Sequence, residues 1–193
     1  MRIPVAGPDL ESILRGAEIL SKHWIKNERT TLYLTSDGKY CCVVESTGLS
    51  TAQGIVMFTA MLDEEPPQSL PFLDEYADAP LECDGLTRVA HKRLIDRGIP
   101  HRFMVGRIDS DFGRGYHGIH YWIQLMNGLV WDFALPQWFG EADVLPRGVF
   151  APEEYEHLVT YEGSEVDEAP LPEAIIQLMT TSINYRDLLK RRD

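Results

Sequence analysis

An α+β fold, with one helix packed on an antiparallel sheet, is predicted by three features of the sequence. Apolar residues recur at helical spacing from Cys83 to Arg97. Three β-rich runs then follow Pro100 with no second helix between them. The last two runs are joined by Asn127-Gly128, a strong signal for a tight hairpin.

The elements read in order as follows. Leu10, Ile13, Leu14, Ala17 and Leu20 predict an amphipathic helix over 9–25, with Asp9 as its N-cap. Thr30–Thr35 and Lys39–Glu45 are rich in β-formers and flank Ser36-Asp37-Gly38, a hairpin signal. Gly54–Leu62 is a further apolar run, so a small antiparallel meander is expected. Residues 63–80 carry Pro66, Pro67, Pro71 and Pro80 among many acids and read as a connecting loop. The central helix shows Leu86, Val89, Ala90, Leu94 and Ile95 on one stripe, with Gly98 as its C′ residue and Pro100 barring continuation. Strands are predicted at His101–Ile108, Ile119–Met126 and Leu129–Phe133, with a loop over 109–118. Pro152 opens a short helix to about Val159, residues 162–170 read as loop, and a final helix or two covers 172–190 with Ser182 or Asn184 as caps.

The 193 residues suit one domain, 1–193, with a core motif at about 80–140. A helix and meander precede it over 1–62, and helices follow over 150–193. A net charge of -12 argues against a nucleic-acid partner, which needs a basic face. The basic cluster Lys190-Arg191-Arg192 reads as a solvated helix end. No run approaches the ~20 apolar residues of a membrane helix, so no membrane partner is expected. The N-terminus is too short and proline-rich for a signal peptide. Cys41, Cys42 and Cys83 form no disulfide framework, which points to a reducing, cytoplasmic compartment.

Cys83 stands where its helix begins. A helix N-terminus carries partial positive charge and free N–H groups, which favour a thiolate and can bind an oxyanion. Such a nucleophile needs a base and a group to orient that base. In the strand 119–126, His120, Trp122 and Gln124 share one face. Asp132 lies in the next strand. With Asn127-Gly128 as a two-residue turn, Asp132 pairs with Ile123 and falls on the opposite face from His120; a bulge or a longer turn would reverse this. Each residue also has a plain reading: an inert core thiol, a satisfied core histidine, a strand-end aspartate.

Linked together, these stretches resemble the transglutaminase-like superfamily. The carriers are Glu82-Cys83-Asp84-Gly85-Leu86 opening a helix and Arg97-Gly98-Ile99-Pro100 closing it. His120-Tyr121-Trp122 in an aromatic strand and Trp131-Asp132-Phe133 after a turn complete the pattern. The resemblance covers roughly 80–140. It implies a papain-like core, with Cys83 as nucleophile, His120 as base and Asp132 as orienting acid. It implies acyl transfer on an amide of a protein or peptide substrate, without a cofactor. Water as acceptor gives a peptidase, amidase or glutamine deamidase; an amine gives a transglutaminase or an arylamine acetyltransferase-like enzyme. The acids Glu82 and Asp84 flanking Cys83 depart from the family pattern and favour a non-catalytic binding module that keeps the fold.

Further candidates surround this trio. Trp122, Trp131 and Trp138 could wall a substrate groove or fill a core. His117 reads as a loop residue near the cleft, a substrate contact or an alternative base. His117 and His120 with Cys83 or His91 could form a zinc set, but the spacing suits no single helix face, and no metal is expected. His91 falls off the apolar stripe and is expected at the surface.

Overall fold

Two antiparallel sheets frame the described residues. The computed structural model describes residues 8–46, 55–110, 115–139 and 144–181, without the side chains of 8, 55–57 and 115–117. The first sheet is a meander in the order β1 (Glu18–Ile25), β2 (Glu28–Leu34), β3 (Tyr40–Ser46), β4 (Ile55–Leu62). The second has five strands: β5 (His101–Ser110), β6 (Gly115–Leu125), β7 (Val130–Asp132), β8 (Gly148–Phe150) and β9 (Val159–Glu165), ordered β8-β7-β6-β5-β9. The helices are α1 (Pro8–Leu14), α2 (Cys83–Asp96), α3 (Leu135–Phe139) and α4 (Glu173–Thr180). The class is α+β.

α2 follows its sequence pattern. Leu86, Val89, Ala90 and Leu94 are buried in one cluster with Phe103, Ile123 and Leu125 of the second sheet. Ile95, counted on the same stripe, is 43% exposed. Gly98 takes φ +66 and closes the helix in a Schellman arrangement, with Ile99 N–H on the Leu94 carbonyl and Gly98 N–H on that of Ile95, both at 3.0 Å. Side chains then fix the helix laterally. Thr87 Oγ1 donates to the Tyr121 carbonyl at 3.0 Å. Arg93 reaches Tyr76 and Glu173. His91, expected at the surface, is instead buried and bonded to His101 and to the Glu168 carbonyl.

Several elements differ from the sequence reading. The N-terminal helix stops at Leu14, and Asp9 lies in its first turn rather than capping it. Gly16 takes φ +77, and the chain continues as β1 paired with β2; sheet pairing overrides the helical spacing of Ala17 and Leu20. Residues 71–76 form a 3-10 turn that buries Leu73 and Tyr76, so part of the proline-rich connector belongs to the core. The loop placed at 109–118 is largely the ends of β5 and β6. After Pro152 only a 3-10 turn forms, and residues 159–165 pair with β5 as β9. α4 ends at Thr180, and the caps Ser182 and Asn184 and the cluster 190–192 lie outside the described residues.

A polar seam joins the two sheets. Arg102 of β5, 4% exposed, donates to Glu28 of β2, to Glu165 of β9 and to Gln124 of β6. Burial opposes its charge, but the two glutamates outweigh burial and raise its pKa. Gln124 in turn donates to Thr30, and Met126 packs among Leu32, Cys42 and Val44 of the meander.

The β6–β7 turn has three residues, not two. Leu125 N–H donates to the Leu129 carbonyl at 2.8 Å, enclosing Met126, Asn127 and Gly128. Asn127 is fully buried; its Nδ2 donates to the Pro67 carbonyl at 3.1 Å and its Oδ1 accepts from Leu129 N–H at 3.3 Å. Gly128 takes φ +94, and a Cβ there would stand 2.7 Å from the His23 Cβ of β1.

Gly128→Ala should therefore destabilise the fold twice over, by about 1–2 kcal/mol of left-handed strain and about 1–3 kcal/mol of overpacking. Urea unfolding measures the sum. A loss under about 0.5 kcal/mol would mean that the turn does not seat against the meander as described.

Candidate active site

The longer turn decides where Asp132 points. Gln124 pairs with Val130 and Ile123 with Trp131, a register shifted by one residue from the two-residue turn. Because strand side chains alternate, this puts Asp132 on the face of Trp122 and His120. The conflict in the sequence reading is thus removed by the longer turn.

His120 is fully buried and Asp132 is 2% exposed. His120 Nε2 lies 2.6 Å from Asp132 Oδ2. The other carboxylate oxygen, Oδ1, accepts from Ala134 N–H at 2.7 Å, so α3 begins directly from the site. Tyr161 of β9 donates its hydroxyl to Oδ2 at 2.9 Å. The imidazole stacks on Trp122 at 6.0 Å between centroids with an 18° interplanar angle, and Tyr161 meets Trp122 edge-on at 5.1 Å. Gly163 makes room for that stack, since a Cβ there would lie 2.4 Å from the Trp122 ring.

Cys83 is the first residue of α2 and is 5% exposed. Glu82 and Asp84 on either side are exposed, so their charges stand in water, where solvent weakens them. No side chain caps the helix at Glu82. Burial is the largest single influence on His120 and lowers its pKa, but the charge and hydrogen bond of Asp132 together with the Cys83 thiol outweigh it. The outcome is a pKa raised to about 9. Nδ1, the ring nitrogen left over by Asp132, has no regular hydrogen-bond partner among the described residues. The Asp132 carboxylate and the Cys83 thiol thus both bear on the same imidazole. Cys41 and Cys42 lie in β3, where burial pushes their thiols up to about 11 and about 12.

The remaining candidates fare differently. Trp122 and Trp131 are 0% and 1% exposed, so neither walls an open groove: Trp122 packs beneath the imidazole, and Trp131 lies in the cluster under α2 against Phe133. Trp138 of α3 is partly buried and packs against both clusters. His117 lies in β6 opposite Ile108 rather than in a loop, and its side chain is outside the described residues. Tyr161 carries no sequence signal; it falls between the short helix read to about Val159 and the loop read at 162–170.

No protein-family model matches the chain, and no curated protein or solved structure matches it.

The raised His120 pKa links stability to pH. A group protonated more readily in the folded than in the unfolded chain stabilises fully below its unfolded pKa of about 6.5, and that stabilisation is lost as pH rises through about 9. Denaturant unfolding from pH 6 to 10 should show a loss on the order of 3 kcal/mol. Asp132→Asn should flatten this dependence, and an unchanged slope in that variant would refute the coupling.

Proposed function

We propose that this chain is a thiol-dependent enzyme of the transglutaminase-like kind, with a papain-like core, that transfers an acyl group from an amide of a protein or peptide. The observation that supports this reading is the buried His120–Asp132 pair acting on Cys83 at the start of α2. His120 takes the thiol proton, and Asp132 steadies the resulting imidazolium. The Cys83 sulfur attacks the carbonyl carbon, and the carbonyl electron pair moves onto oxygen. The backbone N–H of Cys83, at the start of α2, is the donor assigned to that oxygen. As the tetrahedral carbon collapses, the C–N bond breaks and the imidazolium gives its proton to the leaving amine. Water then loses a proton to His120 and adds to the thioester. The C–S bond breaks, the acid is released, and thiolate and imidazolium return. With water as acceptor the product is that of a peptidase, amidase or glutamine deamidase, which is the reading we favour; an amine acceptor gives a crosslinked amide.

A second reading has its own observation. Cys83 is 5% exposed, and a thiol this enclosed also suits a non-catalytic binding module that retains the fold.

Alkylation separates the two. As an enzyme thiol, Cys83 should react with iodoacetamide faster at pH 6 than a model thiol of pKa ~8.5, while Cys41 and Cys42 stay unmodified. His120→Ala should remove that advantage. On the productive amide substrate, Cys83→Ala should abolish turnover and His120→Ala should lower kcat by about 10²–10⁴. Alkylation at the model-thiol rate in the native protein would leave the binding-module reading.

A further inference from the structure

We propose that Tyr161 is a positioning residue of this centre, setting through Asp132 how firmly His120 holds its proton. The inference rests on the thiol-enzyme reading above and adds to it a fourth residue, on β9.

The argument begins with the carboxylate. Asp132 receives three donors: Ala134 N–H on Oδ1 at 2.7 Å, and His120 and Tyr161 together on Oδ2 at 2.6 and 2.9 Å. A carboxylate bound at both oxygens cannot turn about its own axis. The imidazole that leans on it is therefore held in one orientation. Tyr161 and His120 also compete for the electron density of a single oxygen. Each bond that the phenol makes there stabilises the anion and weakens its pull on the imidazolium proton.

The phenol is suited to that task. Burial and the neighbouring Asp132 push its own ionisation well above the ordinary tyrosine range, so it remains a donor at every working pH. Its ring is fixed edge-on against Trp122 at 5.1 Å and tilted against Phe150 at 6.3 Å. The tyrosine reaches the site from β9, which pairs Tyr161 with Ile108 of β5. A purely structural tyrosine would fill space here; this one also spends its hydroxyl on the oxygen that binds the base.

The test is Tyr161→Phe, which keeps the ring and removes the donor. Two readouts are taken on the full chain: the His120 titration by NMR, and the pH profile of Cys83 alkylation by iodoacetamide. The variant should fold, with the His120 midpoint moved upward from its native value by about half a unit or more. The alkaline limb of the alkylation profile should move with it. Incorporation of a fluorinated tyrosine at position 161, a stronger donor of the same shape, should move both in the opposite direction; it also serves if the Phe variant does not fold. A His120 midpoint that stays at the native value in either folded protein overturns the proposal and leaves Tyr161 as packing. If native Cys83 instead reacts no faster than a model thiol, it is the enzyme reading that fails.

Discussion

A carboxylate and an imidazole on neighbouring strands can bond only if both project from the same face. In this chain that condition is met by one additional residue in the β6–β7 turn. Met126, Asn127 and Gly128 between the paired Leu125 and Leu129 bring Asp132 to the side of His120. With one residue fewer, the carboxylate would enter the cluster beneath α2, among Leu86, Ile123 and Leu125, with no base to bind and a large desolvation cost. The bond between Nε2 and Oδ2 is therefore a statement about the turn before it is one about chemistry.

The surroundings then hold the helix, with Cys83 at its start, against the sheet. Thr87 ties the second turn of α2 to the backbone of β6 beside His120. His91 ties the middle of the helix to the segment after β9, and Arg93 ties its last turn to Tyr76 and to α4. These bonds go to four different parts of the chain. Sliding the helix would break all of them together, and the cluster of Leu86, Val89, Ala90 and Leu94 would lose its fit as well.

Much of this could be read from the sequence where local chemistry decides. The stripe from Leu86 to Leu94 and the closing Gly98 marked α2 almost to the residue. The runs around Ser36-Asp37-Gly38 marked the hairpin of β2 and β3. Where tertiary partners decide, the text was silent. Leu14 to Leu20 has helical spacing, yet β2 captures its second half as a strand. Asn127-Gly128 reads as a two-residue turn because nothing nearby in sequence announces that the asparagine amide will bond Pro67. For the site, Cys83, His120 and Asp132 stood out by order and context. Tyr161 did not, because its strand, Val159–Glu165, ends in glycine and acids and forms only against β5. Of the two readings open for Trp122 and Trp131, groove wall or core, their burial agrees with the core.

The seat of Gly128 on His23 and Thr30 gives the meander a purpose that its own residues do not reveal. It supplies none of Cys83, His120 or Asp132, yet it is the mould in which the hairpin sets. Excising the stretch from 80 to 140 would retain all three side chains and discard the surface against which Gly128 seats. Any scaffold asked to bring the same carboxylate to the same imidazole would need its own cast for the turn.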